Sequence, residues 1–256
     1  MKVTIITVCY NSSATIRDTI ESLLAQTHPD IEYIIVDGAS TDNTLAIIGE
    51  YQNKIARVTS EPDKGLYDAM NKGILAATGE VIGMLNSDDI YENTHVISDI
   101  AAHFAAHPHS DLAFGDVVFV KPDQLDTITR YYNAQHFKAW KLRFGWMPPH
   151  PATFIRTTAY QQTGLYSLNY KISADYEMFV RMLLVKHLTY TRINQVLVRM
   201  RAGGISSSGI RSNIRLNNEI VTACRTNGIY TNIALVLSKT PFKLFELMRK
   251  PNSATL

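Results

Sequence analysis

Four apolar runs separated by amphipathic stretches fill the first ninety residues, and this alternation narrows the choice of fold more than any other feature. Residues 3–8, 31–36, 55–60 and 81–85 read as strands. After the capping residues Asn11, Ser12 and Ser13, the side chains Ile16, Ile20, Leu23 and Leu24 recur at helical spacing. A helix from Asp42 is expected to turn Leu45 and Ile48 inward, and Leu66, Ala69, Met70, Gly73, Ile74 and Ala77 share one face of a third helix. Strands that alternate with helices and are apolar along their whole length are buried on both sides. The pattern predicts an α/β fold with a mostly parallel, Rossmann-like sheet flanked by helices.

Beyond residue 110 the pattern loosens. Residues 111–120, 127–132, 152–156 and 188–200 read as strands and 134–144 as a short helix. Residues 174–185 read as a helix with Met178, Met182 and Val185 on one side, and 203–209 as a flexible loop. The expected division is a domain over 1–209, with a ligand-binding half to 110 and a second half over 111–209, then a helical extension over 210–256. In that extension Phe242, Phe245, Leu247 and Met248 stand among Lys239, Lys243, Arg249 and Lys250. Such a tail suits either packing on its own domain or contact with an anionic membrane surface.

Bulk properties exclude several classes. A net charge of +2 gives no electrostatic case for nucleic acid. No apolar run approaches the roughly 20 residues that cross a bilayer, and Cys9 and Cys224 are too few for a disulfide framework. The expected location is the cytoplasm.

Polar groups gather just after each early strand. The first is followed by Cys9-Tyr10-Asn11, the second by Asp37-Gly38, the third by Glu61-Pro62-Asp63 and the fourth by Asn86-Ser87-Asp88-Asp89. Ligands of open parallel sheets bind outside the carboxyl ends of the strands, so four such clusters in register predict a site. Neither a G-x-G-x-x-G after the first strand nor a G-x-x-x-x-G-K-[ST] anywhere is present. A phosphate-bearing ligand facing carboxylates implies a divalent cation between them, Mg²⁺ or Mn²⁺.

Three ordered blocks then resemble family 2 glycosyltransferases, which have the GT-A fold. These are residues 7–12 (TVCYNS), 36–44 (VDGASTDNT) and 63–73 (DKGLYDAMNKG). Asn86-Ser87-Asp88-Asp89 falls where that family carries its D-x-D motif, and residues 173–177 (SADYE) resemble the block that holds its catalytic base. The resemblance runs from about residue 2 to 208 and looks closest to enzymes of exopolysaccharide, colanic acid and O-antigen assembly. It implies transfer of a sugar, with inversion, from a nucleoside diphosphate sugar to a glycan or lipid-linked glycan. A peripheral place on the inner face of the cytoplasmic membrane would suit such an acceptor.

Residue by residue, the resemblance implies that Asp37 accepts a hydrogen bond from the donor base, with uracil favoured. It places Thr7, Cys9, Tyr10, Asn11, Asp63, Lys64, Asn71, Asn86 and Ser87 along the nucleotide sugar, Asp88 on nucleotide and metal, and Asp89 on metal. Each has a plainer reading. Asp37-Gly38 is a common turn pair, Asp88 and Asp89 suit the cap of a following helix, and Asn71 suits a role satisfying helix backbone. Asn86 departs from the motif, because a neutral side chain replaces its first carboxylate. In the base block Ala174 stands where many relatives have Glu, which leaves Asp175 as the expected base and Glu177 as its competitor. On a helix those two point about 200° apart. His150 and Arg201 are candidates for acceptor or diphosphate contacts, and Glu177 is a third. A nucleotidyltransferase would need a basic, glycine-rich triphosphate loop that 9–12 does not resemble. A catalytically inactive nucleotide-sugar-binding scaffold is the non-enzyme alternative.

Overall fold

The computed structural model describes residues 1–203 and 209–242. Strands β1 (Val3–Cys9), β2 (Ile31–Asp37), β3 (Arg57–Ser60) and β4 (Val81–Met84) pair in parallel, as the alternation predicts, and their order is β3-β2-β1-β4. They are linked by helices α1 (Ile16–Leu24), α2 (Thr44–Gly49) and α3 (Leu66–Ala76). Every residue of β1 is buried, and its side chains alternate between two cores. Ile6 and Val8 join Ile34, Val36, Met70 and Ile74 on one face, while Ile5 and Cys9 join Ile35, Ile16, Ile20 and Leu23 on the other. α3 lies so close to β1 that a Cβ at Gly73 would stand 2.4 Å from the Ile6 Cγ2. Glycine there is a packing requirement.

Two inward assignments fail for geometric reasons. α2 is short and turns Thr44 and Ile48 to the core, so Leu45, a rotation of about 100° from Thr44, is 38% exposed. Leu66 opens α3 and is exposed, ahead of the turn that packs on the sheet.

The second half is mixed. β5 (Ile90–Tyr91), α4 (Val96–Ala106), β6 (Leu112–Lys121), β7 (Gln124–Tyr132), β8 (Thr153–Arg156), α5 (Thr157–Thr163), α6 (Ala174–Val180) and β9 (Tyr190–Arg201) follow in order. β8 joins the halves by pairing antiparallel with both β4 and β6, whereas β6 and β9 pair in parallel. The expected helix over 134–144 is a 3-10 turn, Ala139–Phe144. α6 widens into a π turn over Arg181–Val185, which carries Val185 out of the Met178 and Met182 stripe and leaves it exposed. Helices α7 (Ile210–Thr226) and α8 (Ile233–Leu237) close the described chain, and α7 sends Ile220, Ala223 and Cys224 into the same core as α6. Among the described residues no helix is long and apolar enough to cross a membrane.

At the amino ends of the strands Glu32 is buried and accepts hydrogen bonds from Thr4 Oγ1 (2.6 Å), Thr78 N (2.7 Å), Thr78 Oγ1 (2.6 Å) and Lys2 Nζ (3.2 Å). Burial alone would raise this carboxyl, but the donors outweigh it and hold it at about 2. A depressed folded value gives stability that is full above the unfolded carboxyl value and is lost as pH falls toward the folded one. Denaturant unfolding at a series of pH values should therefore show wild-type stability dropping between about 4.5 and about 2, by up to roughly 3 kcal/mol. Glu32→Gln should be less stable at neutral pH and flatter across that window. An unchanged pH slope in the variant would remove Glu32 from the account.

Candidate functional site

The site is built at the carboxyl edge of the parallel strands. Register sets Cys9 beside Asp37 and Asp37 beside Ser60, so three strand ends meet at one carboxylate. Asp37 has no exposed surface. Its oxygens accept from Ser60 Oγ (2.7 Å), Ser40 N (3.0 Å), Cys9 Sγ (3.5 Å) and, in a very short contact, Ser40 Oγ. Burial raises its carboxyl, but the Ser40 and Ser60 donors outweigh that and leave it below the ordinary carboxylate value. Burial and the Asp37 charge push the Cys9 thiol well up, so Cys9 is a protonated, packed residue. Thr7 is also interior, where it accepts from Tyr33 Oη at 3.2 Å.

The loops above are laced together. Asn11 adopts φ 49°, gives its N–H to Ser40 Oγ (2.8 Å) and accepts Thr41 N at Oδ1 (2.8 Å). Ser12 Oγ lies 2.9 Å from Ser87 Oγ, tying the β1 loop to the β4 loop. Gly38 lies between Asp63 and Tyr10, since a Cβ there would stand 2.5 Å from Asp63 Oδ2 and 3.4 Å from Tyr10 Cδ2. Tyr10 is 63% exposed beside that glycine. Asp63 fixes its own loop by accepting Gly65 N at 2.7 Å.

After β4, Asn86 Nδ2 donates to Asp89 Oδ2 at 2.9 Å and Asp89 is buried, whereas Asp88 keeps some exposed surface. The helix-cap reading of this pair ends here, because β5 follows directly and α4 begins only at Val96. Burial raises the Asp88 carboxyl, and burial together with the Asp88 charge raises Asp89 well above the usual range. Arg201 is not free to reach a diphosphate. It is buried, donates from Nη1 to the Asp88 carbonyl (2.7 Å), and holds Asp18 through Nη2. Among the described residues no three His, Cys, Asp or Glu side chains converge as metal ligands. The residues present fit a cation held by one or two carboxylates and by phosphates of a ligand, with Asp88 as the accessible carboxylate.

Asp175 stands in the first turn of α6 and is half-buried. Tyr67, in the first turn of α3, brings it to the carboxyl edge. The Tyr67 hydroxyl shares its proton between Ile172 O (2.6 Å) and Asp175 Oδ1 (3.1 Å). Burial and the Asp175 charge push the Tyr67 phenol far up, so it remains a donor. His150 bonds through Nε2 to Tyr166 Oη at 2.7 Å; burial lowers its imidazole value and the nearby Asp175 charge opposes that. Asn71 is a brace, donating to Tyr166 O (2.9 Å) and accepting from Tyr166 N (2.8 Å), so its amide is spent on main chain.

Glu177 is turned away from Asp175. It is buried, pairs with Arg181 at 2.9 Å and accepts from Asn227 Nδ2 at 3.0 Å. Lys239 likewise leaves the expected basic face of the tail, since it is buried and donates to Gly145 O at 2.9 Å. Gly204, Ile205 and Ser206 of the expected flexible loop, and Lys243, Phe245, Leu247, Met248, Arg249 and Lys250 of the tail, lie outside the described residues.

The match described as Glycosyl transferase family 2 covers residues 4–164, more than half of the chain. The chain belongs to glycosyl transferase family 2. A PGL/p-HBAD biosynthesis glycosyltransferase of Mycobacterium bovis is 32% identical over 67% of this chain and 65% of its own length. The chain thus spans about two thirds of that relative. An uncharacterized glycosyltransferase of Mycobacterium tuberculosis is 33% identical over 72% of this chain and 69% of its own. The fold is that of Staphylococcus aureus TarS 1–349, solved with UDP-GlcNAc, at a TM-score of 0.70 and 20% identity over 93% of this chain and 71% of that one. It is also that of the mannosyltransferase PcManGT from Pyrobaculum calidifontis, solved with GDP-Man and Mn²⁺, at a TM-score of 0.66 and 16% identity over 96% and 73%. The GT-A fold implied by the sequence blocks is therefore the fold of this family member.

Two positioning residues were invisible in the sequence. Tyr67 lies inside the third block, where nothing singles it out. Glu219 of α7 accepts Lys171 N (3.2 Å), Ile172 N (2.9 Å) and Ser173 N (3.0 Å), and so fixes the three residues before the helix of Asp175. Glu219→Ala removes a charged acceptor, a loss of about 1.5–3 kcal/mol for hydrogen bonds of this kind. Amide hydrogen exchange at Lys171, Ile172 and Ser173 should accelerate while β1 and β2 stay protected. Unchanged protection at those three amides would show that the loop holds itself.

Proposed function

We propose that this chain is an inverting glycosyltransferase that moves a sugar from a nucleoside diphosphate sugar, UDP favoured, to a hydroxyl of a glycan or lipid-linked glycan. The observation that carries the reading is Asp175, a half-buried carboxylate held by Tyr67 at the edge where Asp88 and Tyr10 also open. A sugar hydroxyl is a poor nucleophile at neutral pH, and a positioned carboxylate that takes its proton as the bond forms supplies what it lacks. The acceptor oxygen bonds to the anomeric carbon, the bond from that carbon to phosphate breaks, and its electron pair leaves with the nucleoside diphosphate. The proton goes to Asp175.

The exposed Tyr10 ring beside Gly38 offers a face on which a base can stack. A uracil imide N–H reaching Asp37 would take the place of a donor that Asp37 already holds, which makes Asp37 first an organiser of the loops. A divalent cation at Asp88 would offset charge on the departing diphosphate. Solved neighbours with UDP-GlcNAc and with GDP-Man and Mn²⁺ support this reading of the fold. A peripheral membrane contact is part of the proposal, and the exposed Phe242 is its described portion.

Two measurements test the assignment. Asp175→Asn keeps shape and removes basicity, so UDP affinity should hold while transfer falls by about 10²–10⁴-fold; Glu177→Gln should keep transfer at folded-protein levels. Loss of transfer only in the Glu177 variant would move the base. For the cation, UDP affinity should rise with Mn²⁺ or Mg²⁺ in the wild type and lose that response in Asp88→Ala. Equal wild-type affinity in EDTA would overturn the metal role.

A further inference from the structure

A cleft of about 300 Å³ opens between the start of α3 and the loop that leads to α6. Lys64 reaches it from the first side and Lys171 from the second. Both lysines are exposed, and neither is in an ion pair among the described residues. The one carboxylate in the lining, Asp68, is engaged, since it accepts Lys64 N at 3.0 Å and lies 3.8 Å from the Lys72 ammonium. Leu66 and Tyr67, also lining residues, stand in the first turn of α3, where their main-chain N–H groups have no acceptor among the described residues. Leu66 and Leu168 line the mouth with 40% and 47% of their surface exposed. Tyr67 is the wall shared with the site, because its hydroxyl reaches Asp175.

Donors without acceptors converge here from two segments, and two ammonium groups that face one space repel each other until an anion lies between them. We propose that this cleft holds the acceptor through a phosphate group, with Lys64 and Lys171 on its oxygens and Leu66 and Leu168 against the adjoining carbon surface. The inference rests on the glycosyl-transfer reading with Asp175 as base, since the cleft then delivers a hydroxyl near the phosphate past Tyr67 to that carboxylate. It moves Lys64 from the donor to the acceptor. The volume is at the lower end of small-ligand sites, which suits a phosphate and one neighbouring residue of the acceptor.

The phosphate belongs to a lipid phosphate or to a phosphorylated glycan, and the probes separate these. Calorimetric titration of the UDP-loaded full chain would use octyl phosphate, glucose 1-phosphate, glucuronic acid and the neutral octyl glucoside. Both phosphates should bind the wild type more tightly than glucuronic acid or octyl glucoside, and lose about tenfold or more in Lys171→Ala and in Lys64→Ala, as expected for charged hydrogen bonds. Tighter octyl phosphate assigns the lipid source, and tighter glucose 1-phosphate the glycan source. Wild-type indifference to the phosphates, preference for glucuronic acid, or unchanged phosphate affinity in both lysine variants would each overturn the proposal. So would a loss of UDP affinity that parallels the loss of phosphate, because the lysines would then serve the donor. Wild-type turnover of UDP-sugars is read separately, and its absence would defeat the glycosyl-transfer reading whatever the phosphates do.

Discussion

A carboxylate with no exposed surface sits where three parallel strands end, and the site depends on it. Asp37 is tolerable there because Ser40, Ser60 and Cys9 supply its hydrogen bonds. A buried charge without partners costs far more than these contacts return. Its neighbours are thereby fixed. Ser40 also accepts Asn11 N, Asn11 accepts Thr41 N, and Gly38 is left bare between Tyr10 and Asp63. One interior charge demands a complete set of donors, and meeting that demand ties the loops at the mouth of the sheet to one another. The accessible groups around it, Tyr10 and Asp88, are then free for a ligand.

The first half of the fold was readable because its strands are continuous apolar runs with helices between them, and parallel register follows from that pattern. In the second half the strands at 111–120, 127–132, 152–156 and 188–200 were also readable, and what hid, for physical reasons, was β5, α4 and the pairing of the strands. β5 has two residues, too few for any periodic signal, and β6 pairs with β9 across some seventy residues of chain. α4 was overlooked although Val96, Ile97, Ile100, Ala101 and Phe104 recur at helical spacing and are buried. Its signal sat directly behind the Asn86–Asp89 cluster, which read first as the D-x-D position of the family resemblance, with the cap of a following helix only as its plainer reading.

At the site, sequence order identified which segments converge but not which atoms are spent. Asn71, Arg201 and Glu177 are polar residues in or near the matching blocks, yet each is already engaged: with the Tyr166 backbone, with the Asp88 carbonyl, and with Arg181 one turn on and Asn227 beyond α7. Glu219 was hidden for the same reason, since its three amide partners lie more than forty residues upstream. Helical geometry alone separated Asp175 from Glu177, and the structure gives that separation a cause by burying Glu177 in an ion pair.

In the proposed reading Asp175 is the acceptor-side carboxylate that no ion pair holds among the described residues, an arrangement that suits single displacement. A double displacement needs a second carboxylate as nucleophile beside the first, as in retaining glycosidases, and Glu177 is tied to Arg181 on another face of α6. The stereochemistry of the product therefore tests the account most directly. Proton NMR of the transferred sugar, with an α-linked UDP-sugar as donor, should show a β-anomeric linkage. An α-linked product would contradict it.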